Sequence, residues 1–306
     1  MAGDDALFAA AEALPPELFA VIDGGKFDDV ARLLLEAGLS GRPLYLEGGD
    51  PAARAAAGHL VPLYEARDLR AAIALGREPG ALVIWSWPKG EMALYRHLRT
   101  LNLVKIPNEA RAEAEAEGED VSGMPACETV LFRHWDPNVL GTLLPLLEAR
   151  QQARFLGAAG GLALDAPDIG RMVAAPRPSG LPPPTPGMLR FGEGQLEQLG
   201  SAQAHASNGR IEAYLREVAE EETDGLSSEQ VRRVISAAEE SGKRYGLLDE
   251  SAIGKWAFLL LITGGALAHD PTIARAFEES PYEPEVTLDG ILEAMRIAAE
   301  REEGTA

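Results

Sequence analysis

Residues 130–147, VLFRHWDPNVLGTLLPLL, change hydrophobic period midway. Val130, Leu131 and Phe132 open the stretch as a buried strand would, and the strand is expected over Thr129–Trp135. Asp136 is a good N-cap and Pro137 suits the first helical position. Val139, Leu140, Leu143, Leu144 and Leu147 then recur at helical spacing, until Pro145 ends or kinks the helix. Arg133 and Trp135 stand one strand period apart, so they are expected on one face. An arginine in so apolar a strand needs an anionic or carbonyl partner, for which Asp23 and Asp136 are the candidates. From the residues alone this is a strand-to-helix corner tied by an ion pair. Polar residues at strand ends are also where α/β enzymes hold their ligands, so a small-ligand site near Asp23 and His134 is the alternative.

Upstream of this stretch, strand-like and helix-like pieces alternate. Strands are expected at Leu18–Ile22, Arg42–Leu46, Val61–Tyr64 and Ala81–Trp85. Helices are expected at Asp28–Ala37, Ala52–Leu60, Leu69–Gly76 and Lys89–Leu101. This βαβα rhythm favours a sheet with parallel pairs. Leu103–Ile106 then pairs antiparallel with Thr129–Trp135 across an acidic, exposed connection, Asn108–Pro125, and a hairpin follows at Gly161–Leu164 and Met172–Ala175. Pro176–Pro186 reads as a semi-rigid linker. Beyond it helices are expected at Gly194–Gln203, Ile211–Glu222, Ser228–Tyr245, Glu250–Ala268 and Leu288–Arg301. The expected fold is an α/β N-terminal lobe with a mixed sheet, residues 1–187, followed by an all-α C-terminal lobe, residues 188–306.

Of the 306 residues 46% are hydrophobic, enough for a substantial core, and the formal net charge is −20. That charge disfavours nucleic acid and anionic membranes, both of which select Lys/Arg-rich surfaces. The N-terminus starts acidic and lacks the cationic region of a signal peptide. The apolar run Trp256–Ala268 falls short of the roughly 20 residues a membrane span needs, so a buried core helix is expected and the location is expected to be cytoplasmic. Cys127 is the sole cysteine, and His59, His97, His134, His205 and His269 show no HExxH spacing, so no metal site is expected. Asp23-Gly24-Gly25 lacks the GxGxxG spacing of a dinucleotide loop and reads as a turn whose glycines permit positive φ, so no cofactor is expected. The acidic helical runs, such as Glu220–Glu222, read as solvated faces.

The order of these motifs resembles the effector adaptor (chaperone) family of the type VI secretion system. Leu131, Phe132, Arg133, Trp135, Asp136 and Pro137 match the family's strand ending in arginine, aromatic, Asp-Pro, and Ile22, Asp23 and Gly24 match its early apolar-Asp-Gly signature. KRYGLLDESAIGKWAFLLLITG is similar to a segment that often follows, through Tyr245, Gly246, Glu250, Lys255 and Trp256. The departures are the acidic Asn108–Pro125 insertion, the Pro-rich linker, Asp249 at a hydroxyl position and Ala252 at an acidic one. The resemblance implies a non-catalytic protein that binds and stabilises an effector toxin, often through an apolar N-terminal segment, and passes it to the VgrG spike. Such a partner needs an apolar groove, which Trp256, Phe258, Leu259 and Leu260 are candidates to line; ordinary core packing is the competing role for that run, and the cleft between the lobes is the other place a groove is expected. An interaction scaffold outside secretion is a third reading.

Overall fold

A computed structural model of the chain describes residues 2–45, 54–77 and 79–303. It divides into two compact units, Met1–Gln203 and Ala204–Ala306. The first holds α1 (Ala2–Glu12), β1 (Leu18–Asp23), α2 (Val30–Glu36), β2 (Arg42–Pro43), β3 (Gly58–Leu63), α3 (Ala66–Gly76), β4 (Leu82–Ser86) and α4 (Glu91–Arg99). It continues with β5 (Leu103–Pro107), α5 (Glu109–Ala116), β6 (Cys127–Leu131), α6 (Pro137–Leu143), α7 (Ala149–Leu156), β7 (Gly161–Ala166), β8 (Arg171–Pro176) and β9 (Leu189–Arg190).

The main sheet runs β2-β3-β1-β4-β7-β8 with every pair antiparallel, correcting the expectation of parallel pairs. The βαβ rhythm is present, because α3 joins β3 to β4, which run in the same direction. β1 lies between them and pairs antiparallel with both. Both faces of this sheet are covered. Phe19, Val21, Leu60, Val83 and Trp85 face one core with α4, α6 and α7; Ala20, Ile22, Val61, Leu82 and Ile84 face a second with α1, α2 and α3. Burial on both sides produces the unbroken apolar runs that usually mark parallel strands, here in an antiparallel sheet.

A three-stranded mixed sheet, β6-β5-β9, completes the unit: β5 is antiparallel to β6 and parallel to β9. The strand expected to reach Trp135 stops at Leu131, since residues 132–136 turn through His134 N–H to the Phe132 carbonyl (2.9 Å) and Asp136 N–H to the Arg133 carbonyl (3.0 Å). The expected helix at Ala52–Leu60 gives way to β3 from Gly58; Arg54 and Ala55 are helical, and residues 46–53, which include Leu46 of an expected strand, lie outside the described residues. The acidic connection carries the exposed helix α5, capped by Asn108. The β7–β8 hairpin stands where expected, turning through Gly170 at φ +60°.

After the proline-rich stretch, β9 and Phe191 return to the first core, which is why the compact unit extends to residue 203 rather than 187. The C-terminal region is helical: α8 (Glu193–Val218), α9 (Glu220–Thr223), α10 (Ser228–Arg244), α11 (Glu250–Ile262), α12 (Pro271–Glu279) and α13 (Pro284–Glu303). α8 joins two expected helices into one. α12 is an addition; its sequence signal was Asp270-Pro271, with the aspartate capping Thr272 N–H at 2.7 Å. The core of the second unit centres on Trp256, fully buried among Ile235, Ala238, Leu247, Ala257 and Leu288. Its indole N–H donates to Ser241 Oγ at 2.8 Å. Among the described residues no helix is long and apolar enough to cross a membrane. Trp256→Ala should lower unfolding free energy by about 3–5 kcal/mol, measured by urea denaturation. Trp256→Phe should cost less, because it keeps ring packing and loses the Ser241 bond.

Candidate functional site

Three segments build the corner. β1 delivers Asp23 at its C-terminal end, where its N–H bonds the Ala81 carbonyl at 2.8 Å and its Oδ1 accepts from Gly25 N–H at 3.0 Å. Its Oδ2 accepts from the Arg133 guanidinium. Asp23 is fully buried, while the Arg133 side chain remains 45% exposed. Of the two candidate partners, Asp23 makes the direct bond, and Asp136 Oδ2 stands 3.9 Å from the same guanidinium nitrogen. Asp136 also caps α6, accepting from Asn138 N–H at 2.9 Å and Val139 N–H at 3.4 Å, with Pro137 in the first turn as expected. Burial pushes the Asp136 carboxyl up, against the opposing pull of Arg133, the capping amides and Lys26.

The glycines act by close approach. Neither Gly24 nor Gly25 has positive φ, which corrects the expected reason for their presence. A Cβ on Gly24 would lie 2.0 Å from the Ala55 carbonyl oxygen and 2.6 Å from that of Ala57. Gly58, opposite Asp23 in the β1–β3 register, would place a Cβ 2.8 Å from the Trp135 ring. Trp135 is buried on this glycine, with Tyr45 edge-on to it at 6.5 Å. Asp23, Gly24, Arg133, Trp135, Asp136 and Pro137 are therefore brought to one corner, although Asp23 and Arg133 are 110 residues apart.

His134 does not join that cluster. Its Nε2 lies 3.0 Å from Asn102 Oδ1, and the Asn102 amide donates to the Leu44 carbonyl at 3.1 Å. Asn102 therefore accepts from His134, so the ring carries its proton on Nε2. Burial and the neighbouring His97 depress the imidazole to about 3. His134 is fully buried and neutral, in the core between Phe132 and Trp135. His97, also lowered chiefly by burial, stacks on Trp87 with its Nε2 2.8 Å from the Phe155 carbonyl oxygen. His59, lowered by burial, has Nδ1 2.9 Å from the Ala57 carbonyl oxygen. Among the described residues no group of three His, Cys, Asp or Glu side chains is placed to hold a metal.

The candidates on the apolar run divide. Trp256, Leu259 and Leu260 are buried in the helical core and present no surface to a partner in this conformation; Phe258 is half-buried against the same core. A helix apolar all round is consumed by its own unit. Sequence reasoning missed a cavity of about 400 Å³ in the first unit, lined by Tyr45, Arg96, Arg99, Thr100, Asn102, Leu103 and Leu131. Its signal was the arginine pair in the last turn of α4 beside two strand leucines. Comparison of the chain with protein-family models, with curated proteins and with solved structures finds no match.

Arg133→Ala should cost about 1.5–3 kcal/mol, the range for a hydrogen bond to a charged group, because it strands the Asp23 carboxylate while water can reach the vacated side. Wild-type melting of that variant would refute the role. The three depressed histidines share one sign of pH response, opposite to that of the raised Asp136. An imidazole whose folded pKa is depressed binds fewer protons folded than unfolded between about 3 and the ordinary value of 6.5. The stability contributed by the histidines should therefore fall as pH drops through 6.5 towards 3. His134 should contribute a loss on the order of 2 kcal/mol between pH 7 and 5. His134→Gln should flatten the slope in urea titrations at the two pH values.

Proposed function

We propose that the chain is a non-catalytic adaptor that binds and stabilises a type VI secretion effector toxin and loads it onto the VgrG spike in the cytoplasm. The observation that supports this most is the corner itself. Two of the three segments that carry the resemblance lie far apart in the chain, yet they meet in one ion-paired, glycine-packed unit joining β1 to the start of α6. Two motifs that act as one structural lock are a more specific basis for the family reading than either short motif alone. The corner's role in this reading is to hold the α/β region in shape; binding falls to the surface around it.

The absence of a partner surface on Trp256, Leu259 and Leu260 moves the expected effector contact away from the α11 core. A partner segment bearing large aliphatic side chains would gain roughly 1.5–3 kcal/mol for each one fully buried. A few anchors would offset the cost of association. No cofactor and no nucleic acid enters this scheme.

Co-expression with candidate toxin and spike genes drawn from the gene neighbourhood, followed by affinity capture and size exclusion, tests it. A stable stoichiometric complex with the toxin, and loss of soluble toxin without the adaptor, is expected. Soluble, folded protein that captures neither partner would overturn the proposal.

A further inference from the structure

The outward face of the small sheet carries a second, separate message. Val104 and Val130 turn towards the core, so the alternate residues Leu103 and Lys105 of β5 and Thr129 and Leu131 of β6 point away from it. Leu103 and Leu131 stand opposite each other in register and are 45% and 48% exposed. Arg190 of β9 lies beside Lys105. Arg96 and Arg99 of α4 flank the leucine pair in the cavity of about 400 Å³. On a chain of net charge −20, these four cations have no carboxylate partner among the described residues. Arg99 instead lies over the Tyr95 ring at 5.4 Å. Its residues at 103, 105, 107, 127, 129, 131 and 190 include no acid. Among the described residues β6 is an edge strand, so its outer backbone groups have no strand partner there.

An apolar groove flanked by Arg96 and Arg99, on a face that also carries Lys105 and Arg190, is complementary to an apolar segment bearing carboxylates. We infer that this face docks an acidic, leucine-bearing peptide segment of a protein partner. Its aliphatic side chains enter between Tyr45, Leu103 and Leu131, and its carboxylates meet Arg96, Arg99, Lys105 and Arg190. Nucleic acid fits less well. The groove surface is mostly apolar, and a polyphosphate extends beyond the patch into the field of the acidic remainder. The assignment names the chemistry of the partner segment and rests on the adaptor reading only for who that partner is.

The test uses the full chain and three fluorescent probes: a peptide built of glutamate and leucine, a peptide of the same length built of lysine and leucine, and a thymidine oligonucleotide of matched charge. Fluorescence anisotropy should show saturable binding of the Glu/Leu peptide alone, weakened by salt. Arg96→Glu with Arg99→Glu should weaken it at least about tenfold, and so should Leu103→Ser with Leu131→Ser, because charge and burial both contribute. All four side chains are at least partly exposed, so both pairs should keep wild-type circular dichroism; if one pair misfolds, the other decides. No saturable binding of the Glu/Leu peptide, equal binding of the Lys/Leu peptide, or affinity unchanged in a folded variant pair would overturn the inference. So would oligonucleotide binding that ignores the leucines. The same variants in toxin co-expression separate the two proposals. A complex kept by wild type and both variants refutes this face and leaves the adaptor reading intact. If wild type forms no complex, the adaptor reading fails and the peptide arms decide the face alone.

Discussion

The ion pair between Asp23 and Arg133 is the constraint around which the first unit is arranged. Asp23 ends the central strand of the main sheet and is fully buried, so its charge must be answered there. Arg133 answers it from the turn that follows β6, and in doing so joins the small sheet to the large one. The same turn presents Asp136 to cap α6 and seats Trp135 on Gly58. A pair with its carboxylate fully buried is weak as a source of net stability, because desolvation of Asp23 offsets attraction. Its value lies in register: few other placements of residues 132–137 leave neither charge stranded.

The sheet architecture follows from where β1 lies. A strand–helix–strand unit placed β3 and β4 in the same direction, with room for one strand between them, and β1 fills it antiparallel to both. Alternate residues of β1 then enter two different cores, Phe19 and Val21 on one side, Ala20 and Ile22 on the other. The small sheet differs: one face packs on the core, and the other is left to solvent with exposed leucines and cations. Charge is thus unevenly distributed. An acidic chain keeps a local basic, apolar face, and its buried histidines remain neutral inside.

Much was legible in the residues. The helical C-terminal region, the β7–β8 hairpin, the cap at Asp136-Pro137 and the pairing of β5 with β6 all followed from periodicity and from residue types with narrow conformational preferences. Those are local properties, set within a few positions by backbone sterics and by capping. An acid beside Arg133 was legible too, although the arginine lies in the turn after β6 rather than in the strand.

What tertiary structure decided was each outcome that depends on distant neighbours. It chose Asp23 over Asp136 as the direct partner, because only the folded β1 end reaches the guanidinium. It gave Gly24 and Gly58 their reason, which is the approach of another backbone and of an indole ring rather than a special φ. It turned expected parallel pairs antiparallel, since an apolar run records burial on both faces and carries no information on strand direction. It carried the first unit past the prolines, because Leu189 and Phe191 find their core more than eighty positions back along the chain, at residues such as Val104. And it consumed Trp256, Leu259 and Leu260 in a core while leaving Leu103 and Leu131 exposed. Hydrophobicity along the chain measures the drive to be buried; only the packed fold determines which apolar side chains are covered.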